Sequence, residues 1–144
     1  DKGRLARRMA LLKTHPGVGP VVSCQFATEL FHYRSFNSTR QVFKYLGLSP
    51  KIHQSGNRSV NGSINRASNA RLRSNLVQAA WRWIAVDINA KKTYHHMVDN
   101  CGGIKQKAII AMARKLSGHL WTMLIKNQPY KPSKQYHPPT EARY

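Results

Sequence analysis

The sequence predicts an all-α fold: a helix-hairpin-helix, then a polar loop, then a bundle of longer helices. Three observations predict it. Apolar residues recur at helical spacing through most of residues 1–126. A Gly-Val-Gly reversal joins the first two periodic stretches. One segment, 48–65, abandons the period for Gly, Ser and Asn and returns abruptly to it. At 144 residues, 41% of them apolar, the chain has material for one real core.

Residues 4–14 carry Leu5, Leu11 and Leu12 among Arg4, Arg7 and Arg8, a basic helix. Pro16 is expected to stop it, and Gly17 and Gly19 in "HPGVGP" to permit a tight turn. Val21, Val22, Phe26, Ala27 and Leu30 then follow at helical spacing. Together these make a helix-hairpin-helix over about residues 5–30. Its glycines let backbone N–H groups approach a phosphate at the positive end of the second helix. An αα-corner that touches only protein has the same spacing.

Ser38 and Gln41 form a capping-box pattern before Val42, Phe43, Tyr45 and Leu46, with Gly47 as the stop. "LSPKIHQSGNRSVNGSIN" reads as loop or hairpin, with Val60 and Ile64 as core pins or two short strands. From Ser68 a helix is expected, capped by Ser68 or Asn69 and burying Leu72, Leu76, Ala79, Ala80, Trp83 and Ile84. Trp81 and Trp83 read as packing anchors rather than stacking platforms. A helix over about 91–100 ends at Gly102-Gly103. The last helix, about 104–126, buries Ala108, Ile109, Met112, Leu116, Leu120 and Met123 or Leu124. Its other face carries Lys105, Lys107, Arg114 and Lys115. Four prolines after Asn127 predict an extended tail over 127–144.

Charge narrows the function. Against 24 Lys and Arg stand only 5 acids, a formal +19. Such a chain repels itself unless a polyanion neutralises it, and nucleic acid is the usual one. Between Glu29 and Asp87 there are nine basic residues and no acid. That scarcity excludes a complete carboxylate-held Mg²⁺ site within the chain, and His95, His96 and Cys101 lack a zinc-ligand spacing. No metal site is therefore assigned here. Cys24 and Cys101 are too few for a disulfide scaffold, which points to a reducing cytoplasm and, with the charge, to the nucleoid. No stretch has the length and apolarity of a membrane span. The chain opens inside a basic helical pattern, which predicts a fragment whose N-terminal partner domain is missing.

Ser55, beside Gly56, is surrounded by Arg58, Arg66, Arg71 and Arg73. Arginines and backbone N–H groups can hold the non-bridging oxygens of a phosphodiester as charge develops. A serine needs a base, which His53 could supply, or a carboxylate or metal-bound water from another domain. A Ser-Gly pair in an ordinary turn fits these residues as well.

The ordered set "HPGVGPVVSCQFATEL", "FKYLGLSP", "QSGNRSVNGSINRASNARLRSNLVQAA" and "KAIIAMARKLSGHLWTMLIKNQPY" resembles the C-terminal transposase domain of the Piv-type invertase and DEDD transposase family, the IS one-ten type of insertion sequence. The resemblance covers residues from about 12 to 130. It implies a preceding RuvC-like domain whose four acids bind Mg²⁺. It implies DNA as substrate, cut and rejoined through a phosphoserine link in the manner of a serine recombinase. Carried over, Ser55 is the nucleophile, and Gly56, Arg58, Arg66, Asn69, Arg71 and Arg73 surround the phosphate. Gly17 and Gly19 would hold a second backbone phosphate. A homo-oligomer when active, and in some relatives a structured guide RNA, complete the implied partners. Ser68 departs from the pattern, since relatives carry glycine there. The alternative from another class is a non-catalytic helix-hairpin-helix nucleic-acid-binding module.

Overall fold

The structure, a computed structural model, describes residues 2–30, 32–48 and 66–132. It is all-α: α1 (Lys2–Leu12), α2 (Pro20–Glu29), a 3-10 turn (Tyr33–Ser35), α3 (Thr39–Leu46), α4 (Arg66–Val86), α5 (Ile88–Asn100) and α6 (Lys105–Lys126). An N-terminal helix pair, α1 on α2, precedes the larger bundle of α3 to α6. The centre is α4 against α6, and α2, α3 and α5 all pack on α4. Among the described residues no helix is long and apolar enough to cross a membrane.

The expected apolar stripes form the core. On α4, Leu72, Leu76, Ala79, Ala80, Trp83 and Ile84 are buried, and on α6 so are Ala108, Ile109, Met112, Leu116, Leu120, Met123 and Leu124. Each large side chain removed from water contributes about 1.5–3 kcal/mol, so these facing stripes dominate the bundle. Polar ties fix orientation. The Trp121 indole N–H donates to the Tyr33 carbonyl at 2.9 Å, pinning the 3-10 turn to α6.

Several element ends differ from the expectation. α1 ends at Leu12, before Pro16, because the chain turns at once: Thr14 N donates to Leu11 O, and the Thr14 hydroxyl caps the same carbonyl at 2.7 Å. Val21 is 63% exposed, whereas its first-turn neighbours Val22 and Ser23 are buried, so Val21 lies on the outward side of α2. The capping box at Ser38 does not close. Gln41 Oε1 reaches past Ser38 to accept from the Asn37 N–H at 2.8 Å, while Ser38 makes no side-chain cap. Gly47 does end α3, in the left-handed region at φ 73°. Helix α4 starts at Arg66, so Ser68 and Asn69 lie inside its first turn rather than capping it.

α5 begins three residues earlier than the apolar pattern suggests. Asp87 is its N-cap, accepting at Oδ1 from Asn89 N and Ala90 N. Its Oδ2 accepts from the Trp83 indole N–H at 3.2 Å, which locks the α4–α5 corner. Gly102 and Gly103, at φ 67° and 84°, turn the chain from α5 into α6. The segment after Asn127 is docked at its start: Tyr130 N donates to Thr14 Oγ1 at 2.8 Å, and Tyr130 packs against the core. Val60, Ile64 and the rest of the proline-rich tail lie outside the described residues.

Candidate nucleic-acid interface

The hairpin between α1 and α2 is built by packing. Gly17 is buried on α4, where an added Cβ would lie 2.7 Å from the Ala79 carbonyl oxygen and 2.8 Å from Trp83 Cβ. Its N–H donates to His15 Nδ1 at 3.2 Å. Gly17 therefore faces the interior, with its amide already engaged. Gly19 is the more accessible glycine. It sits at the N-cap of α2, where the first-turn N–H groups and the helix dipole favour an anion. Beside it lies Arg82 of α4, whose Nη1 donates to Gly17 O at 3.4 Å. A cation next to an open helix N-terminus suits a phosphate.

Below the hairpin the aromatic groups fix a proton arrangement. Because His15 Nδ1 accepts from Gly17, the neutral ring carries its proton on Nε2, which faces His119 Nδ1 at 3.5 Å. Trp83 and Tyr130 close around the pair, with ring centroids 4.8 and 4.3 Å from His15. Burial, with help from His119, pulls the His15 pKa down to about 3. Burial and the Lys115 charge pull His119 to about 4. Both rings are neutral near pH 7 and serve as hairpin supports.

A second cationic gathering lies at the far end of α4. The Arg73 guanidinium lies over Gly47, where any Cβ would collide with it. Arg114 of α6 donates from Nη1 to the Leu48 carbonyl at 2.9 Å, and burial draws its pKa below the ordinary arginine value. Leu48 is itself buried. Gly47 and Leu48 thus each lie against a guanidinium group at the end of α3, and the next described residue, Arg66, opens α4.

The sequence-derived site residues fall into three groups. Ser55, Gly56 and Arg58 lie outside the described residues. Arg66 and Asn69 are in the first turn of α4, their side chains outside the described set. Arg71 is exposed, while Arg73 is half-buried against the end of α3. The structure brings Gly17 and Gly19 together at one end of α4, and Arg71 and Arg73 at the other. Sequence reasoning missed Arg82 and placed Arg114 only on a polar face. Arg82 follows Arg71 by three helical turns, a period that puts both on one side.

Among the described residues no group of three or more His, Cys, Asp or Glu side chains is placed to hold a metal ion. Asp87 commits both oxygens to α5 and Trp83. The described residues therefore do not fit a catalytic Mg²⁺.

The sequence matches the Transposase IS116/IS110/IS902 family over residues 9–96. A putative transposase, y4rJ, of Sinorhizobium fredii is 34% identical over 119 residues, covering 78% of this chain and 29% of the relative. The transposase for insertion sequence element IS1111A of Coxiella burnetii is 26% identical, covering 81% of this chain and 32% of the relative. The pilin gene-inverting protein of Moraxella bovis is 29% identical, covering 88% and 39%. The chain thus spans about a third of the length of these relatives. No solved structure matches it.

Proposed function

Because the chain belongs to the IS116/IS110/IS902 transposase family, we propose that it is the DNA-binding and serine-nucleophile domain of a transposase or site-specific recombinase. The Ser55 hydroxyl attacks a DNA phosphodiester; the P–O bond to one deoxyribose oxygen breaks as the phosphoserine link forms, and the serine proton ends on the departing hydroxyl. Arg58, Arg66, Arg71 and Arg73 hold the phosphate oxygens, and Gly56 lets the backbone approach them. The Gly19 end of α2, backed by Arg82, holds a second backbone phosphate. Gly17 supports that turn from within.

The observation that carries this reading is the setting of Ser55 within the chain. In sequence its segment runs from Gly47 and Leu48, which Arg73 and Arg114 respectively contact, to α4, whose first turns carry Arg66, Arg71 and Arg73. The family match runs through this whole region. Carboxylates, and any Mg²⁺ they bind, belong to a RuvC-like domain elsewhere in the whole protein. An active homo-oligomer, and a structured guide RNA, are part of the same proposal for the whole protein.

The full-length protein, given a nicked suicide DNA substrate, is expected to form a covalent protein–DNA adduct. Ser55→Ala abolishes the adduct and retains binding. An equal yield from both proteins would refute the role of Ser55 and leave a non-catalytic binding module.

A further inference from the structure

The outward face of α4 carries a surface that extends beyond the hairpin. Arg71, Ser74, Gln78, Trp81 and Arg82 are exposed and recur every three or four residues, so they form one stripe. Eleven residues separate Arg71 from Arg82, a rise of about 16 Å along the helix. No acid occurs between Glu29 and Asp87, and Asp87 turns its oxygens inward to Trp83 and the α5 amides.

Trp81 breaks the expectation of a packing anchor. It is 41% exposed, whereas Trp83, two residues on, is 4% exposed and fills the core. Its ring meets the buried Tyr94 edge-on, with centroids 5.5 Å apart and planes at 66°. Tyr94 lies equally close to the exposed His95. Tyr94 thus props the indole from α5 and leaves part of it open to solvent. A large ring held this way between cations, with no anion on its face, has the makings of a base platform.

We propose that the outward face of α4 binds an unpaired DNA strand, with Arg71 and Arg82 on its phosphates and Trp81 stacked on a base. Charge alone would serve a duplex equally. The exposed indole selects the single strand, because paired and stacked bases present no free π-face. The choice of DNA rests on the proposed function, in which strand cutting leaves an unpaired end.

The test uses the 144-residue chain with an oligothymidylate, a duplex and an oligouridylate. Trp81→Ala is expected to weaken oligothymidylate binding about 5- to 100-fold and to leave duplex binding unchanged. Trp81→Phe keeps the packing on Tyr94 and most of the affinity. Oligothymidylate quenches tryptophan fluorescence in the wild type, and Trp81→Phe removes the quenching although Trp83 and Trp121 remain. Unquenched fluorescence, or equal loss of single-strand and duplex affinity, overturns the proposal. Tighter Trp81-dependent binding of the oligouridylate overturns the choice of DNA. None of these outcomes bears on the Ser55 adduct, so the two readings fail separately.

Discussion

Gly17 and the histidines behind it carry the residue-scale consequences. Gly17 has no positive φ, so alanine is acceptable to its backbone. The obstacle is the Ala79 carbonyl and Trp83 Cβ, neither of which can swing away. Gly17→Ala is expected to destabilise the protein by about 1–3 kcal/mol, read as a lower urea midpoint with an unchanged slope. His15 and His119, held to about 3 and about 4 by burial, would titrate near 6.5 in the unfolded chain. Their stabilising contribution is complete above about pH 6.5. As pH falls towards 4 the unfolded chain takes up protons that the folded chain refuses, and stability declines. Few carboxylates compete with this effect, since the chain has only 5 acids. Urea titrations at about pH 7.5 and 5 should show the decline, and His119→Gln should flatten it. An acid limb unchanged by that substitution would assign the loss to other groups.

At the scale of elements, the α4–α5 corner depends on one side chain. Asp87 caps α5 and accepts from the Trp83 indole, so Asp87→Ala removes a cap and orphans a buried donor. A loss of about 1–2 kcal/mol is expected, measured as a lower Tm with helical content retained elsewhere. This corner also marks the limit of what sequence reveals. The stripes of α4 and α6 were legible because burial follows the helical period residue by residue. Asp87 was not, because one aspartate between two apolar stretches looks like any surface acid until its partners are known. The start of α4 was not legible either: Ser68 and Asn69 are good caps by residue type, yet the helix begins at Arg66. Arg82 and Arg114 were hidden more deeply. Their partners are the Gly17 and Leu48 carbonyls, 65 and 66 residues away, and no local spacing encodes such contacts.

On the scale of the whole molecule, charge and topology point the same way. A formal +19 needs a polyanion, and the fold arranges part of it along one helix: Arg82 by the hairpin, and Arg71 and Arg73 towards its other end, where Arg73 lies against Gly47. Helix α4 thereby joins the uncapped N-terminus of α2, an exposed indole and the arginines that follow Ser55 in sequence. The chain belongs to the family that its ordered motifs resemble, and its architecture is the all-α one that its helical spacing predicts. The central claim is chemical and concerns one oxygen atom. Trypsin cuts after Lys51 and Arg58, releasing Ile52–Arg58, in which Ser55 is the only hydroxyl-bearing residue. The decisive measurement is mass spectrometry of the suicide-substrate adduct after nuclease and trypsin digestion. A nucleotide remnant is expected on that peptide, at Ser55. A remnant on any other peptide, or an adduct that leaves this one unmodified, would contradict it.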